Sequence, residues 1–268
     1  MTPFVSRVLV TVVGVPIVLG LVYLGRWWIF GLVAFATLVA LHELYVMARS
    51  LRPLVLAGYV GALATLLGAH LGGPEWMVGG FMLTLVLAFL LYGIAETRQT
   101  ATVTMGSTIL GTAWIALGLG HILLLRDIPE FGRLALFTVL LVVFADDTAA
   151  YLVGRLVGRH KLAPALSPGK TWEGFVAGTA AAVAVAFFAL YEDRGQFLSI
   201  WQAIVLGSAI ALAGAAGDLF ESALKRDLEV KDSGQLLGGH GGMLDRIDSL
   251  LFGGVAAFYV ILAFGYAG

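Results

Sequence analysis

The chain has no cysteine and little charge. Without thiols it can form no disulfide, no Cys-based zinc site and no thiolate nucleophile. Only 12% of its 268 residues are charged, against about 25% in a soluble domain. That scarcity, with 60% hydrophobic residues and a mean hydropathy of +0.95, excludes a soluble globular fold. A formal net charge of −1 gives no global attraction to nucleic acid, and no nucleic-acid partner is expected.

What the chain has in quantity is uninterrupted apolar sequence. Several runs approach or exceed the roughly 18–20 residues that cross a bilayer. They predict an all-α polytopic membrane protein of about nine transmembrane helices. The spans fall near Val8–Gly25, Trp27–Ala48, Leu54–Gly72, Trp76–Ala95, Met105–Leu125, Leu134–Gly158, Gly174–Tyr191, Ser199–Glu221 and Ser249–Ala267. The first follows Arg7 but is long for a signal peptide and lacks a clear small-residue cleavage site, so it is expected to be retained. Trp27, Trp28 and Trp76 sit at span ends, where indole rings favour the headgroup layer.

With nine spans, twelve of the sixteen Lys and Arg residues fall on the side of the N-terminus; Arg26, Arg126, Arg133 and Arg194 fall on the other. The positive-inside rule then puts the N-terminus in the cytoplasm and the C-terminus outside. An inner, cytoplasmic membrane is the expected location, with the polar loops facing the cytoplasm.

Residues 1–130 read as a transmembrane scaffold, with oligomer or lipid contacts left open. His42 and Glu43, near the cytoplasmic end of the second span, read as an interfacial pair reaching for water. His70 and His121 read as structural histidines. Gly58 with Ala62, and Ser107, Gly111 and Gly118, have the small-residue spacing of close helix packing.

Chemistry gathers in residues 131–268, with cytoplasmic loops at 159–173 and 222–248. Asp146 and Asp147 stand side by side deep in the sixth span. A charge at a helix centre costs roughly 2.5–3.5 kcal/mol, so such residues are retained where they face a polar cavity. Neighbours on a helix point about 100° apart, so one carboxylate lines a site while the other orients a partner or stays protonated; which does which stays open. In the next loop Pro168 and Gly169 predict a turn. Lys170 follows, just ahead of a helix whose free N–H groups favour an anion. Asp218, Glu221, Ser222 and Lys225 fall at i, i+3, i+4 and i+7, on one helix face.

The longest polar segment, Ser222–Asp248, continues from there. It carries Lys225, Arg226, Lys231 and Arg246 among five acidic residues, with His240 between glycines. Asp245 and Asp248, at i and i+3, repel unless a positive group lies between them, and hard divalent cations prefer such oxygens. Glycines allow close approach of main-chain N–H groups to an anion. Carboxylates for metal and cations for phosphate indicate a site for a metal–phosphate substrate.

These residues resemble the signature of the phosphatidate cytidylyltransferases, the CDP-diacylglycerol synthases. The family pattern, Ser-x-x-Lys-Arg, Lys-Asp, a Gly-His-Gly-Gly block and Asp-Arg-x-Asp, is matched by Ser222, Lys225, Arg226, Lys231, Asp232, Gly239, His240, Gly241, Gly242, Asp245, Arg246 and Asp248. Asp147-Thr148, Gly154-Arg155, Gly158-Arg159, Ser167-Pro168 and Lys170-Thr171-x-Glu173-Gly174 extend the likeness upstream. Gly238 stands where the family pattern carries proline.

The resemblance implies a reaction between CTP and phosphatidic acid that gives CDP-diacylglycerol and pyrophosphate, with Mg²⁺ as cofactor and a second cation left open. It implies metal ligation by Asp218, Glu221, Asp245 and Asp248, with Asp146 or Asp147 closing the site. Lys170, Lys225, Arg226 and Lys231 would hold phosphates, Ser222, Arg159 and Arg246 would support them, and Gly239, His240, Gly241 and Gly242 would shape the nucleotide loop. Membrane lipids are expected partners, and a homodimer is left open. Two other functions share part of the pattern: a CTP-dependent lipid-alcohol kinase, which moves the γ-phosphoryl group, and an ion or solute transporter. Confinement of the polar groups to one half, with no internal repeat, weighs against the transporter.

Overall fold

The structure, a computed structural model, describes residues 3–95, 99–193, 195–234 and 241–266, with their side chains from residue 14 onward. The described chain is helical but for one short hairpin. Seven of its helical stretches, with Ala101–Arg126 taken as one, are long and apolar enough to cross a membrane. The chain is thus an all-α polytopic membrane protein, and it divides into two compact units.

The first unit comprises residues 1–124 and 227–247. It contains α1 (Pro3–Leu24), α2 (Arg26–Met47), α3 (Val55–Ile94), α4 (Ala101–Gly111) and most of α5 (Leu117–Arg126). Residues Thr112–Ala116, between α4 and α5, form one π-helical turn. α3 is two arms folded back on each other at Gly73–Pro74. Gly73 has φ 75°, which only glycine adopts without strain, and Pro74 begins the second arm. A Cβ on Gly61 would strike Thr84, and one on Gly68 or Gly80 would strike backbone of the opposing arm. The arms coincide with two of the expected spans, Leu54–Gly72 and Trp76–Ala95.

Two histidines of this unit, His70 and His121, sit in packed surroundings. His70 packs its ring against Trp27 and Phe30, with centroids at 4.5 and 5.3 Å. His121 lies 2.7 Å from the Leu117 carbonyl of its own helix.

The second unit comprises residues 125–226 and 248–268. It holds α6 (Gly132–Val157), strands β1 (Lys161–Ala163) and β2 (Ser167–Thr171), α7 (Trp172–Leu190), α8 (Ile200–Asp227) to Arg226, and α9 (Leu244–Ala263) from Asp248 onward. Small residues set the helix contacts. The space for a Cβ on Gly174 of α7 is taken by the Ala150 carbonyl of α6, at 2.6 Å. A Cβ on Gly207 of α8 would lie 2.9 Å from Val183 Cα of α7, and one on Gly253 of α9 would meet both Ile210 of α8 and Val143 of α6. Four helices therefore close on one another through glycine contacts, as small residues permit in a bilayer.

The polar link between α6 and α7 corrects one expectation. Pro168 and Gly169 do not form the turn; they lie within β2, which pairs antiparallel with β1. The chain reverses at residues 164–166, where the Leu166 N–H donates to the Ala163 carbonyl at 3.2 Å. Proline is accommodated because both strands of a two-stranded sheet are edges. The hairpin runs directly into α7, where Thr171 Oγ1 accepts from Gly174 N at 3.2 Å and caps the helix.

Candidate active site

In the second unit, acidic and basic side chains alternate around the ends of α6, α8 and α9. Lys170, carried by β2, places Nζ 2.7 Å from Asp218 Oδ2 on α8. One turn further, Ser222 Oγ donates to Asp218 Oδ1 at 3.4 Å, and Lys225 reaches back to Glu221 Oε2 at 2.9 Å. The predicted stripe at i, i+3, i+4 and i+7 thus works as two internal pairs. Glu221 is 1% exposed, so its ammonium partner offsets a large desolvation cost. Asp248 on α9 is close enough to Asp218 and Glu221 for their charges to interact. It also accepts from the following Ser249 N–H at 2.8 Å.

The adjacent pair on α6 diverges as helix geometry requires. Asp146 is buried against α7, where the absent side chain of Gly178 leaves room for its carboxylate. Asp147 is exposed and accepts from Ser249 Oγ at 3.3 Å. Asp147 is thereby aimed at the helix that carries Asp248, and Asp146 at α7. Lys170 is near enough to Asp146 for their charges to interact.

Arg226 donates from Nε to the Leu166 carbonyl at 3.3 Å, which ties the end of α8 to the hairpin turn. Arg159 is exposed beside the hairpin. Its neighbour His160 bonds to Glu173, with Nδ1 at 2.6 Å and the backbone N–H at 3.2 Å.

In the first unit a second polar knot forms around the polar segment. Asp245 Oδ2 accepts from Gly242 N at 2.8 Å, from Ser233 Oγ at 2.9 Å and from Ser233 N at 3.1 Å. Gly241 has φ 80°, and a Cβ there would come 2.7 Å from Asp245 Oδ2, so the turn requires glycine twice over. Lys231 and Arg246 are exposed. Gly239 and His240, together with Gly238, lie outside the described residues.

Glu43 was missed by sequence reasoning. It is not an interfacial carboxylate reaching for water: it is 6% exposed. Oε1 accepts from Met243 N at 2.9 Å, while Oε2 accepts from Leu244 N at 2.9 Å and Ser233 Oγ at 3.2 Å. His42 points elsewhere and is exposed, with Nδ1 2.9 Å from Tyr59 Oη.

The donors suit a hard cation in type, since Asp218, Glu221 and Asp248 supply carboxylate oxygens from two helices. Among the described residues no three acidic or histidine side chains converge as a ready-made metal cage. Instead Lys170 and Lys225 neutralise Asp218 and Glu221.

Long apolar helices with acids and lysines paired near one another in the second unit define the class: an integral membrane protein. Comparison with known sequences makes this specific. The cytidylyltransferase family profile matches residues 5–264, well beyond the signature region. The phosphatidate cytidylyltransferase of Mycobacterium bovis is 34% identical over 278 residues, covering 93% of this chain and 85% of that protein. The enzyme of the same name from Staphylococcus haemolyticus is 30% identical over 250 residues, covering 92% and 94%. That from Haemophilus influenzae is 44% identical over 125 residues, 46% of this chain. The chain belongs to the cytidylyltransferase family.

Proposed function

We propose that the protein is a phosphatidate cytidylyltransferase, joining CTP to phosphatidic acid to give CDP-diacylglycerol and pyrophosphate. The observation that carries this reading is the family match over residues 5–264, together with the twelve signature positions between Ser222 and Asp248.

A phosphate oxygen of the lipid attacks the α-phosphorus of CTP. One P–O bond forms there, and the bond from the α-phosphorus to the bridging oxygen of the β-phosphate breaks, releasing pyrophosphate. The nucleophile arrives with the substrate, so the protein needs no reactive serine or cysteine. Its work is positioning two anions and stabilising charge on the departing pyrophosphate. Lys170, Lys225, Arg226 and Lys231 are the cations for phosphate, with Arg159, Arg246 and Ser222 beside them. Binding of substrate phosphate to Lys170 competes with its ion pair to Asp218, which frees that carboxylate as the ammonium turns to the substrate.

Asp218, Glu221 and Asp248 would hold Mg²⁺, and the family motif adds Asp245, one turn before Asp248 on the same helix. Mg²⁺ supplies Lewis-acid stabilisation of phosphoryl oxygens and a template for in-line geometry. Asp147, by accepting from Ser249, steadies the turn of α9 that carries Asp248. By the family motif, Gly239, His240, Gly241 and Gly242 would shape the loop for the nucleotide.

The bias of Lys and Arg supports a cytoplasmic position for the polar segment in the inner membrane. The acyl chains then stay in the bilayer while the lipid headgroup meets CTP from the cytoplasm. The exposed apolar side chains of α2 and α3, among them Phe35, Leu71 and Phe89, would face lipid or a second copy in a homodimer.

Purified protein in mixed micelles, given CTP, phosphatidic acid and Mg²⁺, is expected to form CDP-diacylglycerol and pyrophosphate in equal amounts. Formation of a phospholipid plus CDP from a lipid alcohol, with no CDP-lipid, would contradict the proposal.

A further inference from the structure

A carboxylate in the second helix of the scaffold has no part in the chemistry just described. Glu43 is nevertheless buried, and every hydrogen bond found for it comes from the polar segment some two hundred residues later. Burying an ionised carboxylate is costly unless donors satisfy it. Here two consecutive backbone N–H groups do, and the single proton of the Ser233 hydroxyl is shared between Glu43 and Asp245. Met243 and Leu244 lie at the start of α9, where N–H groups have no partner within the helix. An anion supplied from outside the helix fixes both the position and the direction of that start.

Ser233 makes the connection specific. Its hydroxyl is 3.2 Å from Glu43 Oε2 and 2.9 Å from Asp245 Oδ2, and its backbone N–H holds the same Asp245 oxygen. The side chain is buried. Two glycines make room for Glu43: a Cβ on Gly234 would lie 2.6 Å from Oε1, and one on Gly242 would collide with both Ser233 Oγ and the carboxylate.

We propose that Glu43 is a positioning residue for Asp245 and the glycine-rich turn before it. Through Ser233 and the Met243 and Leu244 amides, it fixes the rotamer and the backbone from which Asp245 projects. What Asp245 then does rests on the cytidylyltransferase reading. That Glu43 holds it in place rests on the geometry alone. The scaffold half of the chain thus contributes to CTP binding without touching CTP.

The test uses the full-length protein in detergent, with Glu43→Gln, Ser233→Ala and, as a control on the neighbouring exposed side chain, His42→Ala. Glutamine keeps the size of Glu43 but turns a donor toward a donor. Amide hydrogen exchange without ligand should rise about tenfold or more in residues 241–247 of Glu43→Gln, with α6, α7 and α8 unchanged. The KM for CTP should rise about tenfold, the scale for removing a partner that orients a ligating group, while the KM for phosphatidic acid stays within about twofold. Ser233→Ala should show the same split, and His42→Ala neither change. Wild-type exchange and an unchanged CTP KM in a folded Glu43→Gln would overturn the proposal. So would equal loss toward both substrates, or a general loss of fold in both variants, either of which indicates packing alone. Failure of the wild-type protein to make CDP-diacylglycerol would count against the proposed reaction instead, and the exchange result would still decide the role of Glu43.

Discussion

Lys170 and Asp218 form an ion pair of 2.7 Å between the β-hairpin and α8. Both side chains are partly accessible, which suits a pair that opens when substrate arrives. An ion pair that keeps some solvent contact adds little stability, so the proposed role of Lys170 is best tested through turnover.

Replacing Lys170 with methionine is therefore expected to lower kcat/KM by about 10²–10³, the range for losing one preorganised charge-stabilising group. Lys170→Arg should recover part of the rate. Unchanged circular dichroism and membrane yield would separate this loss from misfolding, and near-wild-type turnover would remove Lys170 from the site.

Asp245→Asn is expected to abolish turnover while the protein still inserts and folds. Asparagine retains a carbonyl oxygen to accept from Ser233 and Gly242, so the turn survives and the negative charge does not. Steady-state rates beside a thermal melt provide the check. A purified variant making CDP-diacylglycerol at the wild-type rate would exclude Asp245 as a ligand.

Gly178→Ala should destabilise the second unit. The added methyl would clash with the Asp146 carboxylate, and the Asp146 carbonyl lies only 2.9 Å from its position. Overpacking of this kind costs about 1–3 kcal/mol. Gly169→Ala, with nothing within 4 Å of its Cβ, should melt like wild type. Equal melting temperatures for the two variants would mean that α6 and α7 do not meet at Gly178.

The absence of cysteine makes topology directly readable. A cysteine at Gly169 in the hairpin and another at Gly195 between α7 and α8 both enter open space. In inner-membrane vesicles of known orientation, a membrane-impermeant maleimide is expected to label Gly169→Cys from the cytoplasmic face and Gly195→Cys from the opposite one. The reverse pattern would invert the proposed orientation.

Much of this was legible in the sequence because hydropathy and helical spacing are local. The runs along α6, α7, α8 and α9 marked their own helices, and the stripe from Asp218 to Lys225 follows directly from 3.6 residues per turn. Glu43 was not legible. Its partners are mainly backbone N–H groups distant in the chain, which every residue but proline possesses, so no side-chain pattern announces them. Pro168-Gly169 misled for a related reason. The pair has turn chemistry, but Pro164 and the residues after it had already reversed the chain, which left Pro168 free to occupy an edge strand. The divergent directions of Asp146 and Asp147 were predictable from helix geometry. Their assignment was not, because it depended on an absent side chain at Gly178 and a hydroxyl at Ser249.

The central claim is that a lipid phosphate attacks the α-phosphorus of CTP. Parallel reactions with CTP labelled at the α- or the γ-phosphate, in the presence of phosphatidic acid and Mg²⁺, follow the two ends of the nucleotide separately. The account predicts α-label in the lipid product and γ-label in free pyrophosphate. Label from the γ-phosphate in lipid, with the α-label left in soluble CDP, would contradict it.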